Sequence, residues 1–372
     1  MIQTTQKTIY IESTALSRAR RTGVDYWVEG IISRIVADSP EVEFVFFRFS
    51  EDGDQLRISG KNVRQVIINK MPAKLYRALL LIGIAPSLES LIDLSELNTV
   101  IFPNFNPWPV ATKQVTIYSF IADVAFADHP EFVPNWYHRR LLRRGVNDSV
   151  RNSNIILTCS EYSKKRMAHI FQAKPSNIHV LYPGYEKSHG AMTKSATVTE
   201  QYILFVGTLE PRKNVANLIK AYLKLSPELR KEYKLILAGG KGWLDDEILE
   251  LVSENAESIV TPGYVDDTQK QALYTHATLL VYPAFYEGFG MPIIEAQARG
   301  VPVLTCRNSS LVEAGGDAAA YCEPDPKSIA DAMTKLLSNR SELTRLARAG
   351  RIHASSFTWE KPANRLKYLL GI

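Results

Sequence analysis

The chain alternates between short apolar runs of strand length and longer stretches in which apolar residues recur with a helical period. The predicted strands are Thr8–Ile11, Phe44–Phe49, Val66–Ile68, Val100–Pro103, Val115–Phe120, Ile155–Cys159, Tyr202–Val206, Lys234–Ala238, Ser258–Thr261, Thr278–Tyr282 and Val301–Thr305. Strands that alternate with helices predict parallel sheets with helices on both faces.

A polar stretch rich in small residues, at 185–200, separates two halves of similar pattern. A chain of 372 residues is too long for one ordinary core, so two domains are expected. The sequence therefore predicts an α/β fold with two Rossmann-like, doubly wound parallel-sheet domains, at 1–184 and 201–356, joined by a linker at 185–200. Since parallel sheets bind ligands at the carboxyl ends of their strands, we expect the domains to face a central cleft.

The composition, 45% hydrophobic and 22% charged, is typical of a soluble globular protein. Three cysteines, Cys159, Cys306 and Cys322, lie in apolar runs, so we expect buried thiols in a reducing compartment such as the cytoplasm. No cysteine or histidine spacing indicates a metal site. Polar residues at 3–7 predict no signal peptide, and the longest apolar run, Ala78–Pro86, is shorter than the roughly 18–20 residues that span a bilayer.

The positive charge is unevenly placed. Residues 1–184 hold 22 Lys and Arg against 17 Asp and Glu, and the remainder holds 22 of each, so the whole net charge of +5 lies in the first half. The excess forms two clusters, Arg139, Arg140, Arg143 and Arg144, and Lys164, Lys165 and Arg166. Such clusters suit an anionic membrane surface or a phosphorylated acceptor, and a solvated helix face is the plain alternative. Nucleic acid is not predicted, because no basic groove with interleaved aromatic residues is present.

The stretch Ala78–Leu94 is amphipathic and strongly apolar, and Pro86 interrupts it. A core helix is the plain interpretation of this pattern, and a lid or an interfacial surface is the alternative. Both interpretations stay open at the level of sequence.

A glycine turn follows the predicted strand that ends at Tyr282. Gly288 and Gly290 allow a bare backbone that a ligand can approach closely, and a helix over Pro292–Arg299 would point its first amides at that ligand. Two carboxylates frame the turn, Glu287 before it and Glu295 in the first turn of the helix. Attraction to the helix dipole alone would explain Glu295, whereas Glu287 has no evident packing role.

Arg212 and Lys213 precede a helix predicted over Val215–Leu225, where the helix dipole disfavours cations. A local rule broken in this way often marks a functional site. An anion bound between the two cations would remove the conflict, so we predict that they form a diphosphate cradle with the helix amides and Gly207. A pair of ordinary surface charges is the alternative.

Several further residues are candidates at predicted strand ends. Gly23 could let the backbone approach a phosphate or could simply form a turn. Asp123 ends a strand, where it would be presented to a cleft, and His129 is either a base or a turn residue. Tyr264 and Val265 follow an apolar strand whose open backbone groups could hold the edge of a nucleobase.

Three motifs, in this order and spacing, resemble the retaining glycosyltransferases of family 4. They are Gly-Thr-Leu-Glu-Pro-Arg-Lys-Asn at 207–214, Gly-Tyr-Val-Asp-Asp at 263–267, and Glu-Gly-Phe-Gly-Met-Pro-Ile-Ile-Glu at 287–295. The chain is most similar to bacterial mannosyltransferases of surface-polysaccharide assembly. The resemblance implies a GT-B fold, a nucleotide-sugar donor in the second domain, no metal or other cofactor, and a C-terminal helix at 357–372 that packs back on the first domain.

The resemblance also implies roles for individual residues. Arg212 and Lys213 would bind the donor diphosphate, Glu287 the sugar hydroxyls, Glu295 the ribose, and Tyr264-Val265 the base. The remaining implied contacts are made by the backbone of Phe289, Gly290 and Met291 to sugar and phosphate, and by Gly23 near the phosphate.

Two departures from the family pattern lie in the first half. The family commonly has His-Asp where this chain has Ala122-Asp123. Either Asp123 or His129 supplies the missing polar contact, or the enzyme relies on the phosphate as base, or its activity is low. Asp25 stands where a second glycine is frequent.

Together these features predict retaining transfer of a sugar to a hydroxyl of a lipid-linked or oligosaccharide acceptor in O-antigen-like polysaccharide biosynthesis. GDP-mannose is the favoured donor, and a UDP-sugar is open. The predicted location is the cytoplasm, at the inner face of the cell membrane. Two alternatives are a non-hydrolysing nucleotide-sugar epimerase and a non-catalytic scaffold that binds the donor, the latter motivated by Ala122.

Overall fold

The fold comes from a computed structural model that describes residues 7–18, 21–53, 55–92, 98–105, 107–186, 201–243 and 246–372. The chain divides into two units. The first contains Met1–Pro183 and Trp359–Ile372, and the second contains Gly184–Thr358. Most of the predicted linker, 187–200, lies outside the described residues.

The first unit is built on a seven-stranded sheet whose described strand pairs are all parallel. Its strands are β1 (Thr8–Glu12), β2 (Glu43–Phe49), β3 (Val63–Ile68), β4 (Thr99–Phe102), β5 (Thr116–Phe120), β6 (Ile155–Thr158) and β7 (Ile178–Val180). The order across the sheet is β3-β2-β1-β4-β5-β6-β7. Nearly continuous apolar runs such as Phe44–Phe47 suit strands that are covered on both faces.

Helices connect these strands. They are α1 (Gly23–Ala37), α2 (Ala73–Ile82), α3 (Leu88–Leu91), α4 (Ala125–Asp128), α5 (Trp136–Asn152) and α6 (Glu161–Phe171). The apolar stretch predicted as one interrupted helix over Ala78–Leu94 is thus two helices. The first of them ends at Gly83, which adopts φ +81. Residues 93 and 94 lie outside the described part.

The second unit has a six-stranded sheet, also parallel throughout its described pairs. Its strands are β8 (Gln201–Val206), β9 (Tyr233–Ala238), β10 (Ile259–Gly263), β11 (Leu279–Tyr282), β12 (Val303–Cys306) and β13 (Ala320–Cys322). The order β10-β9-β8-β11-β12-β13 is the Rossmann order, in which the direction of winding reverses between the first strand and the fourth.

The helices of the second unit are α7 (Val215–Leu223), α8 (Pro227–Glu232), α9 (Asp246–Glu254), α10 (Asp267–His276), α11 (Met291–Ala298), α12 (Leu311–Gly315), α13 (Pro326–Leu337) and α14 (Arg340–Ala354). Asp266 caps α10, and Gln269 completes a capping box with it.

The C-terminal helix, α15 (Glu360–Leu370), packs on α1 within the first unit. Trp359 lies against Gly30, where an added Cβ would come within 2.6 Å of the indole ring. The Tyr118 hydroxyl donates to the Leu369 carbonyl at 2.6 Å. Trp359 holds the N-cap position of this helix and makes no side-chain cap bond.

Candidate functional site

The ends of β8 and β11 define the candidate site of the second unit. These strands are neighbours, and the winding of the sheet reverses between them. In open parallel sheets this reversal leaves a crevice outside the carboxyl ends of the strands, where ligands bind. The loop after β8 carries Arg212 and Lys213, and the loop after β11 carries Glu287.

The loop after β8 is tied to the loop after β11 by main-chain and amide bonds. Asn214, in the left-handed conformation at φ +61, donates from Nδ2 to the carbonyls of Pro283 at 3.0 Å and Pro324 at 2.8 Å. The Phe285 amide donates to the Arg212 carbonyl at 3.0 Å. The position of the basic pair relative to the glycine turn is therefore fixed by the backbone.

Arg212 and Lys213 directly precede α7, as the sequence predicts. They lie in a 3-10 turn, Pro211–Lys213, and the next residue, Asn214, holds the N-cap position of the helix in the left-handed conformation. The anion predicted to offset their unfavourable interaction with the helix dipole stays a prediction.

The two cations are held by carboxylates. Lys213 forms a short ion pair with Glu287, and Arg212 Nη1 lies 3.3 Å from the other oxygen of the same carboxylate. Arg212 Nη2 also donates to Glu210 at 2.7 Å. Lys213, Glu210 and Glu287 are all buried, with 9%, 2% and 6% of their surface exposed. The structure thus brings together three predicted site residues and adds Glu210.

Tyr282 completes this cluster, and its role was not predicted from the sequence. Its hydroxyl accepts a hydrogen bond from Lys213 Nζ at 2.9 Å and donates one to Glu287 at 2.7 Å. The side chain is fully buried at the end of β11, stacked on Phe205 with ring centroids 5.6 Å apart. A tyrosine at the end of an apolar strand looks like core in a sequence, so no local signal distinguishes it.

The main chain of Glu287 is also fixed. Its amide donates to Ser309 Oγ at 3.2 Å, and its carbonyl accepts from Ser310 Oγ at 2.7 Å. Both serines follow β12, the next strand of the sheet. Because side-chain and main-chain groups are both bonded, the carboxylate is held in one position before any ligand arrives.

Burial and charge act on this cluster in opposite directions. Burial alone would raise the pKa of Glu287, but Lys213 and Arg212 outweigh it, so this pKa lies below its ordinary value. Burial and the neighbouring Arg212 lower the pKa of Lys213. Glu287 and Glu210 act to raise it but do not cancel that decrease. The Tyr282 pKa is well above its usual range because the hydroxyl is buried beside a carboxylate. Glu287 is therefore ionised and Tyr282 neutral at neutral pH.

The lowered pKa of Glu287 predicts acid sensitivity. Its contribution to the free energy of unfolding is fully present above the ordinary value of 4.5 and is lost as the pH falls through the folded-state value. Urea unfolding gives the free energy of unfolding of the wild type and of Glu287→Gln at each pH. The difference between the two should be constant above pH 4.5 and should shrink as the pH falls further. Glu247→Gln, which disrupts the exposed pair with Lys220, should show a difference under about 1 kcal/mol throughout. A Glu287 difference that grows in acid would contradict the assignment.

Glu295 does not lie in the first turn of its helix, as predicted, but is the fifth residue of α11. It is 9% exposed and accepts hydrogen bonds from Lys270 Nζ at 2.9 Å and from the Tyr274 hydroxyl at 2.8 Å. Burial and the nearby carboxylate raise the pKa of Tyr274 well above its usual range, so this hydroxyl stays a donor. Both partners come from α10, which follows the predicted base-binding segment, and sequence reasoning missed them.

The backbone of the glycine turn adopts a conformation that requires glycine at one position. Gly290 has φ +102 and holds the N-cap position of α11. The first amides of a helix have no intrahelical partner, so the start of α11 offers donors to a bound group. Phe289 is buried against Phe357, with ring centroids 5.4 Å apart, and Met291 is half-buried.

The turn after β8 also depends on glycine. A Cβ on Gly239 would lie 1.8 Å from the Gly207 carbonyl oxygen, so the ends of β8 and β9 approach more closely than any side chain allows. Gly207 itself has φ +153, and its amide donates to the Ala238 carbonyl at 2.9 Å. A Cβ on Gly207 would contact the Phe205 ring at 3.5 Å and the Tyr282 hydroxyl at 3.8 Å. The role of Gly207 beside a phosphate stays a prediction.

Gly239→Ala should displace the turn that leads to Lys213. The expected cost is about 2 kcal/mol or more in the free energy of unfolding, as for other overpacked sites, together with a loss of transferase activity. Gly240→Ala is the matched control, since its Cβ would meet nothing within 4 Å, and it should stay within about 0.5 kcal/mol of the wild type. Urea unfolding of both variants checks this, and equal losses would count against the close approach.

Tyr264 and Val265 lie between β10 and α10, at the same edge of the sheet. Gly263 reverses the chain with φ +76, and Tyr264 is 45% exposed. An exposed aromatic ring beside open backbone groups can stack on or contact a planar base. Their predicted role as a base site remains a prediction.

The candidate residue Gly23, in the first unit, lies at the start of α1 beside a capping box. Thr22 and Asp25 form a capping box at the start of α1, in which the Thr22 amide and hydroxyl donate to Asp25 at 2.8 and 2.9 Å. Asp25 is fully buried and lies 3.4 Å from Arg18. An added Cβ at Gly23 would meet nothing within 4 Å. The aspartate at the second glycine position thus stabilises the helix start, and the backbone at Gly23 is open to approach.

Asp123 and His129 both make local contacts. The Asp123 carboxylate accepts from the Ala125 amide at 2.9 Å. His129 lies 2.9 Å from Glu131 and stacks on Phe132. Neither contact identifies a replacement for the histidine missing at Ala122, whose carbonyl accepts from Thr158 at 3.2 Å.

The chain is similar to known glycosyltransferases. The family described as Glycosyl transferases group 1 matches residues 192–353. Over 270 residues the chain is 32% identical to O-antigen chain mannosyltransferase B of Escherichia coli, an overlap of 69% of this chain and 70% of that protein. It is 25% identical over 310 residues to the serotype-specific mannosyltransferase WbdA of Escherichia coli, which covers 78% of this chain and 37% of WbdA.

A solved structure shares the fold. Sucrose-phosphate synthase from Thermosynechococcus elongatus superposes with a TM-score of 0.76 over 98% of both chains, at 16% sequence identity. With the two parallel sheets described above, this likeness confirms the predicted fold class, GT-B.

Proposed function

Because this chain belongs to the group 1 glycosyltransferases, we propose that it transfers mannose from GDP-mannose to a hydroxyl of a lipid-linked or oligosaccharide acceptor. We propose retention of configuration, as in family 4, and a role in O-antigen-like polysaccharide biosynthesis. The support is the cluster of Arg212, Lys213 and Glu287 at the winding reversal of the second sheet, together with the two mannosyltransferases among the relatives.

In the proposed reaction the two cations stabilise the leaving group. The bond between the sugar and the diphosphate breaks, and negative charge gathers on the diphosphate. Lys213 and Arg212 are fixed by Asn214 and Tyr282, so they would oppose this charge without reorganising, which is the usual source of electrostatic catalysis. The acceptor oxygen attacks from the same face, and the departing phosphate takes its proton.

Glu287 has two tasks in this scheme. Its carboxylate pairs with both Lys213 and Arg212 and, together with Glu210, balances their charge. With donor bound, the diphosphate would take over one or both cations, and the carboxylate would accept hydrogen bonds from the sugar hydroxyls. Glu295 would bind the ribose while Lys270 and Tyr274 hold it in place.

The remaining donor contacts follow the sequence expectation. Tyr264 and Val265 would meet the base, and Gly207, Gly23 and the backbone of Phe289, Gly290 and Met291 would meet the phosphates and sugar. We propose no metal ion or other cofactor, since Arg212 and Lys213 supply the positive charge. A UDP-sugar is the second candidate for the donor.

The described residues form no helix of the length and apolar character that crossing a bilayer requires. We propose that the chain works in the cytoplasm, at the inner face of the cell membrane. The support is the placement of its three cysteines as buried free thiols, and the excess of basic residues in the first half.

A binding and a transfer assay test the proposal together. GDP and GDP-mannose should raise the melting temperature more than UDP, ADP and their sugars do, because only the folded state binds them. Incubation with GDP-mannose and a mannose-terminated oligosaccharide should yield a product heavier by one hexose, with the new linkage in the α configuration of the donor. Selective stabilisation by UDP would move the donor assignment to a UDP-sugar.

Two rival functions predict different products. An epimerase would isomerise the donor with no acceptor present. The assay would then show GDP-mannose converted to a product of the same mass. A non-catalytic scaffold, suggested by Ala122, would bind the donor and transfer nothing to any acceptor. Either outcome would overturn the proposal.

A further inference from the structure

Helix α2 turns an apolar face outward. Tyr76 and Ala73 are buried against the first sheet, whereas Leu75 and Ile82, one heptad apart on the opposite side, are 48% and 67% exposed. Ile84, just beyond the helix, is 65% exposed. A surface helix of a globular protein ordinarily presents polar residues to water. The amphipathic stretch noted in the sequence is thus not simply a core helix.

The start of α5 is exposed on all sides. Residues 134–140 are all exposed, and they include Trp136, at 68%, and Tyr137, at 49%. Arg139 and Arg140 follow after His138 and are exposed as well. The core face of this helix begins further along, where Leu142 and Val146 pack in the core of the first unit. Its first turns therefore carry aromatic and basic side chains that no described part of the chain covers.

The end of α2 and α5 belong to one surface. Arg144 donates a short hydrogen bond to the Leu81 carbonyl, and its guanidinium lies 3.7 Å from where a Cβ on Gly83 would be. Trp136, Arg140 and Arg144 recur every four residues, so they share one face of α5. At the helical rise, Trp136 lies about 12 Å along the axis from Arg144. Exposed apolar side chains, aromatic rings and arginines thus occur within one patch.

We propose that this patch is where the protein docks on an anionic bilayer surface. Its residues are Leu75, Ile82, Ile84, Trp136, Tyr137 and the neighbouring Arg139 and Arg140. Isoleucine and leucine enter the boundary between headgroups and acyl chains, tryptophan and tyrosine favour the same depth, and arginine pairs with lipid phosphate. The net charge of +5 in residues 1–184 matches a negatively charged surface.

Charge complementarity favours a lipid surface over a second copy of the chain. In a symmetric dimer the same patch meets itself, so Arg139 and Arg140 would face like charges. The inference rests on the proposed membrane-side function, yet vesicle binding is measured without donor or turnover. Failure of binding would leave sugar transfer to a free oligosaccharide intact, so the two proposals fail separately.

The first arm of the test varies charge. The protein is sedimented with vesicles of phosphatidylglycerol and phosphatidylethanolamine, and with vesicles of phosphatidylcholine alone. We expect binding to the anionic vesicles that weakens with added salt, and a loss of about fivefold in partition coefficient per arginine, hence about 25-fold for Arg139→Gln with Arg140→Gln. The matched control is Arg345→Gln with Arg348→Gln on α14, which removes the same charge from exposed positions elsewhere and should change binding by less than about twofold.

The second arm varies apolar exposure. Ile82→Gln should lower the partition coefficient by about tenfold, because the side chain no longer enters the lipid boundary. Ile352→Gln on α14 is the matched control, since Ile352 is 68% exposed against 67% for Ile82, and it should bind as the wild type does. Both variants alter exposed positions, and unchanged melting temperatures establish that they fold.

Three outcomes would overturn the inference. One is wild-type protein that binds neither kind of vesicle. Another is a loss of binding in the α14 controls that equals the loss in the patch variants, which would indicate attraction by net charge alone. The third is a concentration-dependent dimer in sedimentation velocity that the patch variants dissociate, with no vesicle binding, which would assign the surface to self-association.

Discussion

Lys213→Met is expected to lower the rate of sugar transfer by about 10²–10³-fold, the loss typical when one preorganised donor to a developing negative charge is removed. The reason is that Lys213 Nζ is fixed by Glu287 and Tyr282 at the end of β8 and β11, where the diphosphate would leave. Initial rates of transfer from GDP-mannose to the oligosaccharide acceptor measure this directly.

A loss of activity alone would not distinguish catalysis from folding. Lys213 and Glu287 form a buried pair, and removal of one partner from such a pair costs about 3–5 kcal/mol because the other charge stays buried. The double variant Lys213→Met with Glu287→Gln removes both charges, so we expect its free energy of unfolding to recover much of that cost. Its transfer rate should stay at the level of the single variant.

Lys220→Met serves as the matched control. Lys220 pairs with Glu247 on the surface, with side chains 43% and 59% exposed. Loss of such a pair costs less than about 1 kcal/mol and should leave transfer unchanged. Near-normal transfer by Lys213→Met, or a double variant that regains both stability and activity, would refute the diphosphate cradle.

The pattern of apolar runs was sufficient for most of the fold. Every predicted strand is present within a few residues, because parallel strands covered on both faces form continuous apolar segments. Within the described parts of the chain two strands were missed, Ile178–Val180 and Ala320–Cys322, which have three residues each and lie at sheet edges. A run of three residues is too short for periodicity to separate a strand from a loop.

The candidate site was predicted less completely, for a physical reason. Arg212, Lys213 and Glu287 stand out in the sequence because cations and a carboxylate beside glycine turns have no packing role. Their partner Tyr282 does not stand out, because its hydroxyl bonds to Lys213, which lies 69 residues away in the sequence. The same holds for Glu295, whose assignment to the first turn of a helix was wrong and whose partners come from another helix.

The sequence indicates the position of Arg212 and Lys213 directly before α7 but does not reveal the groups that pair with them. In the structure both cations are stabilised by carboxylates, Glu287 and Glu210. Asparagine adopts the left-handed conformation more readily than most residues, but the bonds that hold Asn214 there go to Pro283 and Pro324, which are distant in the sequence.

Glu287→Gln is expected to tighten the binding of GDP while it slows transfer. The four charges of the cluster, Arg212, Lys213, Glu210 and Glu287, balance, so removal of one carboxylate leaves a net positive site for the diphosphate. Unit charges about 4 Å apart interact by a few kcal/mol near a protein surface. We expect a part of that interaction energy to appear as tighter binding, so that the Kd for GDP falls by about tenfold. Titration calorimetry with GDP and with GDP-mannose measures both affinities.

Transfer should nevertheless fall by about 10²-fold, because the glutamine cannot hold Lys213 as firmly or accept the sugar hydroxyls as strongly. Glu210→Gln is the control for charge alone. It also removes a carboxylate from Arg212, but Glu210 does not bond Lys213 or Tyr282 among the described contacts, so GDP should bind more tightly with transfer retained to within about tenfold. If Glu287→Gln instead weakens GDP and GDP-mannose equally, the carboxylate serves the fold and does not stand in for the donor's phosphates.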